Sequence, residues 1–316
     1  MNPATIGEYD RPILGLTGGE GTKSSAQVDA IYEWLIRMGA NKADHLVIVG
    51  GGTVLDTAAF AAATFQRGIP FTLVPTTLLA MVDAAIGGKN GINLLGLKNY
   101  IGTIVSPASI IADLRVLDTL PEAQLLEGWM EMVKHGLIAD ASYWRLLQSH
   151  VDVPGPGDLS PLIHKAAALK LAVVAGDPYE NGMRKQLNFG HTVAHALEAN
   201  SDGMAQPVTH GMAVGLGMLF SLRLSERCCN GRGAALDFES ARTSIRNWIE
   251  RSDAHWTLDW ARSLPPEAIW RRMKKDKKNR ADRVLEVVLS DLGTASWDYS
   301  LEESEFLQTW KESIAF

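Results

Sequence analysis

The stretch HLVIVGGGTVLD, residues His45–Asp56, decides how the first part of this chain folds. His45–Val49 is an apolar run rich in β-branched residues and too short for a stable helix, so it reads as a buried parallel strand. Gly50, Gly51 and Gly52 follow at once, and an alanine-rich helical segment runs from about Val54 to Arg67. Glycines let a backbone approach a ligand closely, and a helix N-terminus offers free N–H groups and a positive dipole end. Together they make a phosphate-binding turn. The pattern is not GxGxxG, and on this stretch alone a plain tight turn stays open.

Working outward, Pro12–Thr17 reads as a short strand. Val28, Ile31, Leu35 and Ile36 recur at helical spacing from about Ser24 to Met38. Ile69–Val74 is a further strand, ended by Pro75. Strand, helix, strand, glycine turn, helix, strand is the doubly wound α/β pattern, which predicts an α/β domain over residues 1–113. Thr76 and Thr77 follow a strand and a proline, where their hydroxyls can face the same cleft. Ile86–Asn93 and Gly96–Asn99 read as a glycine-rich loop whose Lys89 and Lys98 suit anionic oxygens.

The character changes after about Asp113. Helical periods cover Pro121–Leu137, Ser142–Ser149, Leu162–Ala175, His191–Ala199 and His210–Arg227, with a Pro- and Gly-rich loop at Val153–Pro161 and a strand at Val284–Ser290. Residues 114–316 are therefore expected to form a mainly α-helical second domain.

Composition narrows the function. The 316 residues are 46% hydrophobic and 21% charged, the balance of a globular chain and not a disordered one. The only cysteines are the adjacent Cys228 and Cys229, which exclude a disulfide scaffold and a CxxC metal site and point to a reducing cytoplasm. A net charge of −6 argues against a nucleic-acid partner. Neither a signal-peptide pattern nor an apolar run of membrane-spanning length is evident, so no membrane association is expected.

Chemistry-bearing residues gather in the helical part. His191 and His195 stand four apart in GHTVAHALE, on one face of a helix. His210 opens a second helical segment, and Glu131 lies in a third, EMVKH, with Lys134 and His135 close behind. One carboxylate and two or three imidazoles on converging helices suit a zinc-like divalent ion with an open position. The spacing does not say which imidazoles bind. HTVAH lacks the glutamate of a zinc-protease motif, which excludes that class. Glu180, Arg184 and Asn188 precede His191 at spacing four, and Arg184 with Lys170 suits a carboxylate or phosphate.

These segments together resemble the 3-dehydroquinate synthases, within the sugar phosphate cyclases. The resemblance rests on GGEGTKS (Gly18–Ser24), GGGTVLDTAAFAAATFQRG (Gly50–Gly68), VPTTLLAMVDAAIGGKNGIN (Val74–Asn93), GLKNYIG (Gly96–Gly102) and LDTLP (Leu117–Pro121). It continues through GWMEMVKHGLI (Gly128–Ile138), RKQLNFGHTVAHALE (Arg184–Glu198), HGMAVGLGM (His210–Met218) and DKKN (Asp276–Asn279). It implies a Rossmann-like NAD-binding domain, here lacking its first strand–helix–strand unit because only 17 residues precede GGEGTKS. It also implies a metal- and substrate-binding helical domain. The implied metal ligands, for zinc or cobalt, are Glu131, His191 and His210, leaving His195 to the substrate. The implied NAD contacts are Glu20, Lys23, Gly51, Gly52, Thr53, Asp56, Thr76, Thr77, Lys89, Lys98 and Thr119. The implied substrate and catalytic residues are Asp83, Lys89, Asn99, Lys134, Lys170, Glu180, Arg184, Asn188 and His195, with Lys277 or Lys278 at a phosphate. Arg67 matches an arginine that reaches a neighbouring subunit, which implies a homodimer.

The implied reaction converts the small molecule 3-deoxy-D-arabino-heptulosonate 7-phosphate to 3-dehydroquinate with loss of phosphate, in aromatic amino-acid biosynthesis. A dehydrogenase-like NAD site, a metal site and a cluster of cations are all needed at once, and the chain has candidates for each. Three other readings stay open: a related cyclase acting on sedoheptulose 7-phosphate or glucose 6-phosphate, a metal-dependent polyol dehydrogenase, and an inactive or scaffolding homologue. The intact LNFGH segment argues against the first, and the joint presence of Arg184, Lys170 and Lys89 argues against the second.

Overall fold

In the computed structural model, which describes residues 11–228, 234–275 and 283–315, the chain divides into two compact units, Met1–Val116 and Leu117–Phe316. Among the described residues, no helix is long and apolar enough to cross a membrane.

The first unit begins with helix α1 (Ser25–Arg37), capped by Ser24, whose side-chain oxygen accepts the Gln27 N–H. Strand β1 (Leu46–Gly50) leads through Gly51 into helix α2 (Gly52–Thr64), then strand β2 (Phe71–Pro75). After a turn of π-helix at Ala80–Ala84 come strands β3 (Lys89–Leu94) and β4 (Leu97–Ile104), and the two-residue β5 (Ser109–Ile110). β1, β2 and β5 form a parallel sheet in that order, with Leu46 opposite Phe71 and Gly50 opposite Pro75. Val28, Ile31 and Leu35 of α1, the alanines of α2, and Ile48, Phe71 and Leu73 share one hydrophobic core.

Four expectations are corrected here. Pro12–Thr17 joins no ladder; Leu14 and Leu16 instead pack against the core as unpaired chain. The HLVIV run is a strand, but only Ile48 is buried, facing the core it shares with α1 and α2; Val47 and Val49 point to the opposite face of the sheet and are 55% and 41% exposed. The glycine-rich residues 86–99 are no open loop: β3 and β4 pair antiparallel around Leu95 and Gly96, both left-handed, as a tight hairpin turn requires. The helix expected to reach Arg67 stops at Thr64, and Gln66 and Arg67 take φ of 49° and 68° in the following turn.

The second unit is built from helices α3 (Glu122–Ala139), α4 (Ala141–Gln148), α5 (Ser160–Gly176), α6 (His191–Ser201) and α7 (His210–Cys228). These match the helical periods read from the sequence. Further on lie α8 (Ala234–Glu250), α9 (Trp256–Ser263), α10 (Pro266–Met273), the antiparallel hairpin β6 (Val284–Asp291) and β7 (Thr294–Leu301), and α11 (Glu303–Ile314). Asp140 joins α3 to α4 and caps α4 by accepting the N–H groups of Ser142 and Tyr143.

α7 is buried on nearly every face, and its glycines explain how closely it packs. A Cβ on Gly211 would collide with the backbone of Glu127 on α3, and one on Gly217 with the carbonyl of Gly190, which precedes α6. Gly190 itself has φ of 77°. These contacts bring the start of α7 onto α3, and the middle of α7 onto the start of α6. Gly217→Ala should therefore cost about 1–3 kcal/mol of unfolding free energy by overpacking. Gly157→Ala, where a Cβ meets nothing within 4 Å, should stay within about 0.5 kcal/mol of the parent. Urea unfolding of the three proteins checks this.

Candidate metal centre and cofactor site

The close packing of α3, α6 and α7 places Glu131, His191 and His210 together, with one ligand atom from each lying within 4.8 Å of the others. Oε1 of Glu131 is 3.6 Å from Nε2 of His191 and 3.6 Å from Nε2 of His210. Its other oxygen, Oε2, is ion-paired to Lys134 one turn further along α3. Glu131 and Lys134 are both fully buried. One carboxylate oxygen thus faces two imidazole nitrogens while the other is held by a lysine.

The rings are also held from behind. Nδ1 of His191 is 3.1 Å from the carbonyl of Phe189, and Nδ1 of His210 is 3.6 Å from Oε2 of Glu198. An Nδ1–H pointing at an acceptor leaves the Nε2 lone pair directed at the cluster. Desolvation among the helices would push the His210 imidazole down, but the carboxylates of Glu131 and Glu198 outweigh it and hold the ring up to about 10. The pocket therefore favours positive charge. Two imidazoles and a carboxylate are a common three-residue set for a catalytic divalent ion, so the donor set fits. His195 lies beside it, its ring 5.8 Å from that of His191.

The same unit holds the residues suited to an anion. Arg184 is buried in the short turn Met183–Asn188, with Nη1 donating to the Pro178 carbonyl at 2.6 Å. Asp177 fixes that turn by accepting the N–H groups of Asn181, Gly182 and Arg184, which also keep its carboxyl below the usual carboxylate range. Asn188 donates to Oε1 of Glu180 at 2.7 Å. Lys170 is buried on α5, and both α3 and α5 pack against the turn carrying Arg184.

In the first unit, α2 starts without a side-chain cap, which leaves its N-terminal dipole to an anionic ligand. Gly51 and Gly52 meet Thr77 and Ala84: a Cβ at either would lie 3.1–3.3 Å from those side chains. Their small size thus also serves the fold. Buried Lys23 binds Oδ2 of Asp56 at 2.5 Å and also donates to Oδ1 of Asn99. Burial raises the Asp56 carboxyl, Lys23 opposes that, and the charges of Glu20 and Asp83 add to the rise. Asn93 donates to Glu20 and to the Lys23 carbonyl and accepts the Asn99 N–H, which fixes the hairpin to the turn at Glu20–Thr22.

The family profile for the 3-dehydroquinate synthase N-terminal part matches residues 13–127, and that for the C-terminal part matches residues 128–279. The 3-dehydroquinate synthase of Chlamydia pneumoniae is 41% identical over 301 residues, 91% of this chain and 77% of that protein. The Chlamydia abortus enzyme is 37% identical over 92% of this chain and 78% of its own. This chain belongs to the 3-dehydroquinate synthase family. Among solved structures, 2-deoxy-scyllo-inosose synthase complexed with carbaglucose-6-phosphate, NAD+ and Co2+ matches with a TM-score of 0.83 at 26% identity, covering 95% of this chain and 83% of that one.

Of the residues that the family resemblance singles out, the structure groups Glu131, Lys134, His191, His195 and His210 in the second unit. It groups Glu20, Lys23, Asp56 and Asn99 in the first, so Asn99, expected at the substrate, is bonded to a residue expected at NAD. Thr53, Thr76 and Thr77 lie half-buried around the glycine turn, and Lys89 and Lys98 are exposed on the hairpin. Asp83 sits half-buried in the π-turn. Thr119 belongs to the second unit, apart from the other NAD positions in the division of the chain. Arg67 is exposed on its left-handed turn. Lys277 and Lys278 lie outside the described residues. Sequence reading missed Glu198, Asp177 and Asn93. Glu198 was detectable, being three residues after His195 and seven after His191, on the same helix face.

Glu131→Gln should lower zinc or cobalt affinity by well over the ~10–100-fold that losing an outer hydrogen-bond partner costs, with the helical circular dichroism unchanged. Competition with a chelator measures it; parent-like affinity would remove Glu131 from the centre.

Proposed function

We propose that this protein is a 3-dehydroquinate synthase: a phosphate-eliminating carbon–oxygen lyase that converts 3-deoxy-D-arabino-heptulosonate 7-phosphate to 3-dehydroquinate in the shikimate pathway. The observation that carries this reading is the cluster of Glu131, His191 and His210 beside buried Lys134, in a chain 41% identical to a curated 3-dehydroquinate synthase. NAD and one divalent ion, zinc or cobalt, are its cofactors. When bound, they supply reversible hydride acceptance and acidification of a substrate hydroxyl.

The chain's own residues do the rest. Glu131, His191 and His210 hold the ion. Lys134, tied to Glu131, brings a cation to the edge of that site. His195, on the same face of α6 as His191, is placed to hydrogen-bond a substrate hydroxyl. Arg184 and Lys170 bind the substrate's carboxylate, Arg184 through a planar fork that Asp177 and Pro178 hold in place. Glu180 orients Asn188 for a further polar contact. In the first unit, Gly51, Gly52, Thr53, Thr76 and Thr77 receive the cofactor's phosphates at the start of α2, with Lys23, Asp56 and Glu20 beside them. The working form is a cytoplasmic homodimer, to which Arg67 reaches from an exposed turn.

The test supplies purified protein with the heptulosonate phosphate, catalytic NAD and zinc or cobalt, and follows phosphate and NADH together. Phosphate should appear over many turnovers with no net NADH. Arg184→Ala should lower kcat/KM by about 1.5–3 kcal/mol, roughly 10–150-fold. Net NADH without phosphate would indicate a dehydrogenase. Turnover of glucose 6-phosphate or sedoheptulose 7-phosphate instead would indicate a related cyclase.

A further inference from the structure

Glu198 is buried at the end of a line of three polar residues on one face of α6, with His191 and His195 at intervals of four and three. Its Oε2 is 3.6 Å from Nδ1 of His210, on the side of the ring away from Glu131. The approach is fixed from both ends. Oγ of Ser201 donates to the Glu198 carbonyl at 2.9 Å and accepts the N–H of Val208 at 3.1 Å, which ties the last turn of α6 to the chain entering α7. His210 is the first residue of α7, and Gly211 presses that first turn against Glu127 of α3. The ring thus lies between two carboxylates on two different helices.

The two histidines of the centre are held differently. The ring of His191 has a neutral backbone carbonyl behind it, two residues away in its own chain segment. The ring of His210 has a buried carboxylate behind it, contributed by another helix. An outer carboxylate fixes the tautomer and orientation of a ligating imidazole and raises its basicity more than a carbonyl does. The geometry points to Glu198 as the positioning residue of the metal centre: its carboxylate, 3.6 Å from Nδ1 of His210, attracts the Nδ1–H, favours the tautomer that turns Nε2 toward Glu131, and strengthens His210 as a ligand. This rests on the reading of Glu131, His191 and His210 as the metal ligands.

The test compares the parent with Glu198→Ala and Glu198→Gln. Zinc affinity is measured by chelator competition, and the visible absorption bands of the Co2+-loaded proteins report ligand geometry. Glu198→Ala should bind metal about 10–100-fold more weakly, with shifted Co2+ bands. Glu198→Gln keeps an acceptor oxygen and loses the charge, so its affinity should fall between the other two. NAD binding, measured separately by calorimetry, should be the same in all three. A folded Glu198→Ala protein with parent-like affinity and parent-like bands would overturn the assignment. If that protein does not fold, the near-isosteric Glu198→Gln is read in its place: weaker binding with shifted bands supports the assignment, and parent-like values overturn it. A loss in Glu198→Gln equal to that in Glu198→Ala would also overturn it, because the acceptor oxygen would then play no part. A parent that binds no zinc or cobalt would show instead that the metal centre itself is misread, and the assignment would fall with it.

Discussion

The contact of α7 with α3 and with the start of α6 is the constraint on which the second unit depends. Three glycines make it possible. Gly211 lets the first turn of α7 touch the α3 backbone at Glu127, and Gly217 meets Gly190 where α6 begins. Those are the points from which Glu131, His191 and His210 project. A methyl group at any of the three positions would separate helices whose close approach defines the centre. Ligand geometry and core packing are therefore one requirement here, and the helices are held by burial on nearly all sides of α7.

Electrostatics explains why that packed region holds a carboxylate at all. A fully buried glutamate is costly unless paired and hydrogen-bonded. Glu131 shares one oxygen with Lys134 and turns the other to two imidazoles. With Glu198 behind His210, the local balance favours a further positive charge, as the raised His210 imidazole shows. A divalent ion held by Glu131, His191 and His210 would meet the same demand. In the first unit, the Lys23–Asp56 pair plays a different part: it joins α2 to the hairpin through Asn99 and stands beside the glycine turn.

The sequence revealed those parts whose signal is local. Helical periods marked α3 to α7, the run HLVIVGGG marked β1 and the turn into α2, and the i, i+4 histidines marked the face of α6 that meets Glu131 and His210. Family resemblance named His210 in place of His195 as a ligand, a choice that spacing left open, and the structure brings Glu131, His191 and His210 within 4.8 Å of one another. The failures were non-local. Whether Val47 and Val49 are covered depends on what packs on their face of the sheet, which the run itself does not encode. The Lys89–Ile104 hairpin was hidden because its glycines read as loop signals, although Gly91 opposite Gly102 is a cross-strand pair. Glu198 was passed over because its contact with His210 appears only when the first turn of α7 lies against it.

The most direct measurement of the metal centre is X-ray absorption at the zinc edge of the zinc-loaded parent protein. The expected result is two imidazole nitrogens and a carboxylate oxygen at about 2.0–2.2 Å, plus one light atom from solvent. A shell containing sulfur at about 2.3 Å, or one with no imidazole scattering, would contradict the assignment of Glu131, His191 and His210.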